Sequence, residues 1–247
     1  MSALVLALTA GAVVGLALGA LGGGGSVLAV PALIYLLGFS PSAATTASLI
    51  IVAATSATAL YAHARDGHVA WKAGSLFAAA GIIPAYLAGA AAGRVPETAL
   101  TVAFAVIAAL AAVRMFRPSS SRPPERIRTG KAAGAGAGLG AVTGFLGVGG
   151  GFLAVPALVS VLGLTMRRAV GTSLLVITVN SLAALVARTG TGGGLDWALI
   201  GPFTGAAILG AWDGKRLSTK VSGNSLQKVF AAVLLAVAVF MLIDVIA

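Results

Sequence analysis

Two stretches of this 247-residue chain combine residue types and spacings suited to holding an anion. They are LGGGGSVLAVPAL at 21–33 and LGVGGGFLAVPAL at 146–158. Adjacent glycines weaken a continuous helix, by about 1 kcal/mol each relative to alanine. The expectation is an unwound backbone with free N–H groups. It opens into a short helix whose N-terminal end carries a partial positive charge. Glycine also lets an anion approach the backbone closely. Gly22, Gly24, Gly25 and Ser26 of the first stretch are therefore candidate substrate ligands, with Gly147, Gly149, Gly150 and Gly151 of the second. Such a site needs no buried Arg or Lys. Close helix packing is the competing use of glycine. It suits Gly11, Gly15 and Gly19 at four-residue spacing, and Gly89 with Gly93, but it calls for spaced rather than consecutive glycines. Pro31 and Pro156 each release a carbonyl or kink their short helix.

Ser48, Thr172 and Ser173 stand near the start of the apolar segment after each glycine stretch and are candidate hydroxyl donors. A hydroxyl bonded back to its own helix is an equally good account of them. Asn180 is the clearest mid-segment amide, fit to donate two hydrogen bonds to an oxyanion or one to a neighbouring helix. Thr55, Ser56, Thr58 and Thr178 are assigned to packing. His63, Arg65, Asp66 and His68 lie close together in what is expected to be a solvated cytoplasmic loop, although a histidine can in principle carry a coupling proton.

No enzyme pattern competes. The TGK at 129–131 lacks the glycine spacing and following hydroxyl of a phosphate loop, and GAGLGA at 136–141 follows no strand. Two histidines and no cysteine make no metal site, and no cofactor is expected. A serine hydrolase pairing Ser26 with His63 or His68 would need a membrane-face histidine to reach a tip near the midplane.

The elements that position these residues follow from composition. Hydrophobic residues make up 59% of the chain and charged residues 9%. That is too little polar surface to cover a soluble domain, where about 25% is charged. The apolar runs are continuous rather than alternating, so the class is an all-α polytopic membrane protein and not a β-barrel. The net charge of +10 belongs to cytoplasmic loops facing anionic lipid, not to nucleic acid. Runs at 43–62, 70–92, 97–116, 168–187, 195–212 and 225–246 are long enough to cross a bilayer. Those at 26–37 and 151–162 are too short and suit half-helices.

The chain is also duplicated. Residues 11–49 align without a gap on 136–174, with 19 identities in 39 positions, and LAVPAL recurs at 28–33 and 153–158. Trp71 and Phe104 meet Trp197 and Phe230 at a shift of 126. The organisation is an N-terminal repeat over 1–116, a cytoplasmic basic linker over 117–131 and a C-terminal repeat over 132–247. Each repeat is expected to be a re-entrant, glycine-tipped helical hairpin followed by three transmembrane helices. An odd number of crossings inverts the second repeat. With the linker inside and both termini outside, fourteen basic residues lie inside and only Arg94 and Arg188 outside. Parallel halves with four crossings each would put nine inside and seven outside, against the positive-inside rule. Two full crossings in place of each hairpin would leave the charge count unchanged.

At GGGGSVLAVPAL and GVGGGFLAVPAL, followed by Ala47–Ser48–Leu49 and Thr172–Ser173–Leu174, the chain resembles the TauE/SafE family, the sulfite exporter or toluene sulfonate uptake permeases. The resemblance runs through both repeats. It implies a multi-pass transporter of the bacterial inner membrane that moves sulfite, a sulfonate or a related organosulfur acid. Inverted repeats with broken helices independently point to secondary transport by alternating access. A passive anion channel and a non-transporting membrane scaffold are the alternatives. The partners expected are a small sulfur-containing anion and membrane lipid. A homodimer is one assembly the sequence allows.

Overall fold

The computed structural model describes residues 2–92, 96–116, 129–145, 151–187 and 195–246. Among them are ten α-helices and no strand. The first half contributes α1 (Ser2–Leu21), α2 (Ser26–Pro31), α3 (Pro41–Arg65), α4 (Trp71–Ala92) and α5 (Glu97–Phe116). The second contributes α6 (Thr129–Phe145), α7 (Gly151–Ser160), α8 (Met166–Ala187), α9 (Trp197–Lys220) and α10 (Gly223–Ile246). A tight 3-10 turn, Gly22–Gly25, leads into α2, and a π-helical turn, Ala32–Leu36, continues it. The widening follows Pro31, which has no N–H to close the α ladder at that point. Of the basic linker, residues 117–128 lie outside the described residues, as do Arg94 and Arg188.

Four helices among the described residues are long and apolar enough to cross a bilayer: Ala3–Leu21, Ala43–Arg65, Met166–Val186 and Gly223–Ile243. The first differs from expectation, since α1 was read as one arm of a hairpin and is long enough to cross by itself. α4, α5 and α9 have 22, 20 and 24 residues. α9 carries Asp213, Lys215, Arg216 and Lys220 toward its C-terminal end and buries a face of Phe203, Ala207, Gly210, Ala211 and Gly214. Val13, Ile83, Leu87, Val186, Leu209 and Ile243 are each more than half exposed. Large apolar side chains turned outward on so many helices require lipid rather than water around them.

Small residues set the closest contacts. α1 runs parallel to α9, with Gly11, Gly15 and Gly19 against the backbone of Phe203, Ala207 and Ala211. α6 runs parallel to α4 in the same way, with Gly136 and Gly140 on the backbone of Phe77 and Gly81. α3 and α8 run antiparallel. Ser56 Oγ lies 2.9 Å from Thr178 Oγ1, and further along Gly171 packs on His63. The last turn of α5 meets the first of α10, where Gln227 Nε2 donates to the Met115 carbonyl at 2.7 Å. Phe203 is fully buried in the core of α1, α2, α3 and α9. Phe77 and Phe230 anchor a second core of α4 to α8 and α10.

Candidate functional site

The first glycine stretch reverses the chain. Gly22 has φ +66°, a conformation that favours glycine, and Gly25 returns against the backbone of Leu18. Leu28, Pro31 and Tyr35 then come back beside Val14, Ala10 and Thr9. The backbone at the tip is not unwound as expected. Residues 22–25 form a 3-10 turn, and the Ser26 N–H donates to the Gly23 carbonyl. Bonds of this kind satisfy amides that water is not available to satisfy.

The tip is enclosed by the second half of the chain. Gly22 packs on Ser173 Oγ and on the carbonyl of Val170. A Cβ at Gly151, the first residue of α7, would sit 2.7 Å from Ser26 Oγ and 2.8 Å from Ile177 Cγ1. The starts of α2 and α7 therefore face each other across a close gap, where a methyl on Gly151 would have to displace Ser26 Oγ and the Ile177 side chain. Gly22, Gly25, Ser26, Gly151 and Ser173 are brought together, and Gly24 lies within the same turn. Gly147, Gly149 and Gly150 lie outside the described residues.

The candidate hydroxyls are largely spoken for. Ser26 Oγ donates to the Gly23 carbonyl at 2.7 Å, Ser48 to that of Thr45 at 2.8 Å and Ser173 to that of Val170 at 2.8 Å. Thr172 differs. It is fully buried and accepts from the Ala70 N–H at 3.0 Å, so its own hydrogen is not used in that bond. Asn180 is half-buried, seven residues or about 10 Å along α8 from Ser173, and among the described residues no hydrogen bond ties it to the tip.

One residue at the tip was misread from sequence. His63 is not in a solvated loop: it is 3% exposed, in the last turn of α3. Its Nε2 lies 3.1 Å from the Gly19 carbonyl, one turn before Gly22, and its Nδ1 is buried with no partner. The available signal was Gly67. Its φ of +71° and the bonds from Gly67 N–H to Ala64 and His68 N–H to His63 form a Schellman stop, which carries α3 through Arg65. Just beyond, Asp66 pairs with Lys215 of α9 at 2.6 Å. The Lys215 ammonium beside it holds the Asp66 carboxyl below the usual carboxylate range.

Two clefts flank the tips. One, of about 450 Å³, lies between α1, α2 and α10. Tyr35 and Phe240 meet edge to face in its lining, 5.7 Å between ring centres. The other, of about 480 Å³, lies between α5, α6, α7 and α10. Nine of its residues, including Leu153, Pro156 and Ala157, occupy repeat positions equivalent to the first cleft, and two of the nine, Ser160 and Arg114, stand where the first has Tyr35 and Phe240.

Comparison with known proteins resolves the class. The family described as sulfite exporter TauE/SafE matches residues 7–241. The chain belongs to the TauE/SafE family. Within it, a probable membrane transporter protein of Xylella fastidiosa strain 9a5c is 33% identical over 97% of this chain and 95% of its own length. A protein of the same description from strain Temecula1 is 32% identical over the same shares. No solved structure matches the chain. This TauE/SafE protein is thus a membrane transporter by family and by relatives, not an enzyme, and its first glycine tip meets α7 and α8 of the second half.

Proposed function

We propose that the protein is a secondary transporter of a small sulfur-containing anion, sulfite or an organosulfonate, across the bacterial inner membrane. The observation that carries this reading is the meeting of Ser26 with Gly151, which sets the two short-helix starts face to face. Backbone N–H groups of Gly22, Gly24 and Gly25, released as the 3-10 turn opens, hold the anionic head group with those of Gly147, Gly149, Gly150 and Gly151. Thr172 adds a hydroxyl donor. Ser26, Ser48 and Ser173 contribute only by releasing the carbonyls they now serve, and Asn180 lines the path further along α8.

Inversion of the repeats is part of the proposal. α3 and α8 are equivalent in the duplication, and their contacts run in opposite senses along the chain. The first helix of each half lies parallel to the fourth helix of the other, and the two clefts exchange equivalent residues. A pseudo-twofold of this kind supports alternating access, with one cleft leading to each side of the membrane. The linker is then cytoplasmic and both termini external.

The absence of native cysteine allows a direct test. Single cysteines at Ser26, Gly151, Arg94 and Lys220 are labelled from each side of sealed vesicles. Arg94→Cys is expected to react only from outside and Lys220→Cys only from inside, while sulfite or ethanesulfonate protects the two tip positions. Labelling of Lys220→Cys from outside overturns the inversion. Unprotected tips overturn the anion site. Flux that never saturates makes the protein a channel.

A further inference from the structure

The tip carries one titratable side chain, and its geometry is that of a proton acceptor. A carbonyl only accepts, so the 3.1 Å contact with Gly19 places the hydrogen of neutral His63 on Nε2. Nδ1 is then the bare basic nitrogen, and it is buried without a partner. His63 lies between two elements of the tip. Its ring meets the Gly19 carbonyl at the end of α1, and its Cβ lies beside Gly171 of α8, which packs on the His68 carbonyl and stands two residues before the Ser173 that Gly22 packs against. The groups facing it are few. His68 lies 6.2 Å away between ring centres, and Asp66 belongs to the same turn but is committed to Lys215 of α9. α1 contributes no charge, and Arg167 and Arg168 at the start of α8 are exposed.

A buried imidazolium here lacks a free counter-charge, and a bound anion supplies one. Resting on the transporter reading above, we infer that His63 is the proton site that couples transport: Nδ1 takes a proton from water when an anion occupies the tip, and the two cross together. The N–H bond formed on one side is broken on the other, where the proton returns to water. By reciprocity the proton raises anion affinity as much as the anion raises proton affinity.

The test uses ethanesulfonate, whose charge does not change between about pH 5 and pH 8, the range in which histidine titrates. Purified protein in weak buffer with a pH indicator is expected to take up about one proton per sulfonate bound. In proteoliposomes each unit of pH difference should give about tenfold accumulation. His63→Gln keeps a donor for the Gly19 carbonyl but cannot be protonated. It is expected to bind sulfonate more weakly, as the reciprocity requires, and to lose both proton uptake and gradient-driven accumulation. His63→Gln that still takes up the proton overturns the coupling role and leaves the anion site standing. Wild-type protein that binds and exchanges sulfonate without taking up a proton does the same. No sulfonate or sulfite binding by wild-type protein overturns the transporter reading and this inference with it. The chain has only two histidines, so His68→Gln leaves His63 as the sole reporter if the first variant does not fold. In that protein the labelled imidazole must change protonation state on adding sulfonate near neutral pH, and an unchanged nitrogen signal overturns the assignment.

Discussion

The seam between α1 and α9 and the tip between α1 and α2 are both built of glycine, yet they use it differently. In the seam, Gly11, Gly15 and Gly19 each meet a backbone carbonyl of the partner helix. At the tip, Gly22 and Gly25 also meet backbone, that of Val170 and Leu18, but the closest contacts of Gly22 and Gly151 are side-chain ends: Ser173 Oγ, Ser26 Oγ and the branch of Ile177. A backbone carbonyl inside a helix cannot yield, whereas a hydroxyl or an isoleucine branch can rotate. The seam is therefore a fixed joint and the tip an adjustable one. A transporter needs both, since bodies that rock must stay rigid while the contact between them changes.

The largest effect separates these roles. Gly15→Leu drives a side chain into the backbone of Ala207, and neither helix can retreat without opening the whole seam. The expected cost is about 3 kcal/mol or more, at the upper end for overpacked cores. Size-exclusion chromatography should show loss of monodisperse protein, and Gly140→Leu in the α4–α6 seam should behave alike. A normal elution profile for either variant would remove the fixed joint from the comparison.

Thr172→Val comes next. The shape is kept, but the Ala70 N–H at the start of α4 loses its acceptor inside the protein. An unsatisfied buried donor costs about 1–3 kcal/mol. The melting temperature should fall, and on the proposed reading anion affinity should fall with it, because the Thr172 hydrogen is not used in its bond to Ala70. Ser26→Ala and Ser173→Ala, whose hydrogens already serve their own helix carbonyls, should change affinity far less. Equal losses from all three would assign the hydroxyls a shared role that their bonding does not suggest.

Gly151→Ala tests the adjustable joint itself. The new methyl would sit 2.7 Å from Ser26 Oγ and 2.8 Å from Ile177 Cγ1, side-chain atoms that must rotate aside to admit it. Stability should change by no more than about 1 kcal/mol. On the proposed reading transport should drop about tenfold, since the methyl fills the gap assigned to the head group. Unchanged transport with unchanged stability would move the anion away from the meeting point of the tips.

How much of this was legible in the sequence follows the same division. The helices, the duplication and the packing role of Gly11, Gly15 and Gly19 could be read directly, because apolar run length and four-residue glycine spacing are local signals. The meeting of Ser26 with Gly151 needed the repeat to be taken as a symmetry, which the identities in LAVPAL invite. The tightness of the tip was not legible. Consecutive glycines allow an unwound chain, and only the packing of Leu18, Val170 and Ser173 around them selects the 3-10 turn. His63 was hidden for a related reason. In HARDGH four of six residues are charged or titratable, which looks like solvent, but the imidazole turns inward to α1, where the Gly19 carbonyl accepts its Nε2–H.

The smallest effect concerns the end of the seam. Gly214 of α9 packs on the Leu16 carbonyl, and the next residue, Lys215, reaches Asp66 beyond the end of α3. The pair ties the fixed joint to the helix that carries His63. Lys215 holds the Asp66 carboxyl below its ordinary range, so the folded state favours the ionised form. That contribution is whole above the unfolded carboxylate value, near about 3.9, and is lost as pH falls through the lower folded value. Both side chains are partly exposed, 20% for Lys215 and 35% for Asp66, so screening limits the pair to about 0.2–1 kcal/mol. Asp66→Asn should lower the melting temperature slightly at neutral pH and in low salt, and the deficit should close as the solution is acidified below the wild-type carboxyl's folded value. A deficit that persisted in strong acid would mean that Asp66 acts through packing rather than charge. A deficit much larger than 1 kcal/mol at neutral pH would mean that the joint depends on this tie and not on its glycines alone.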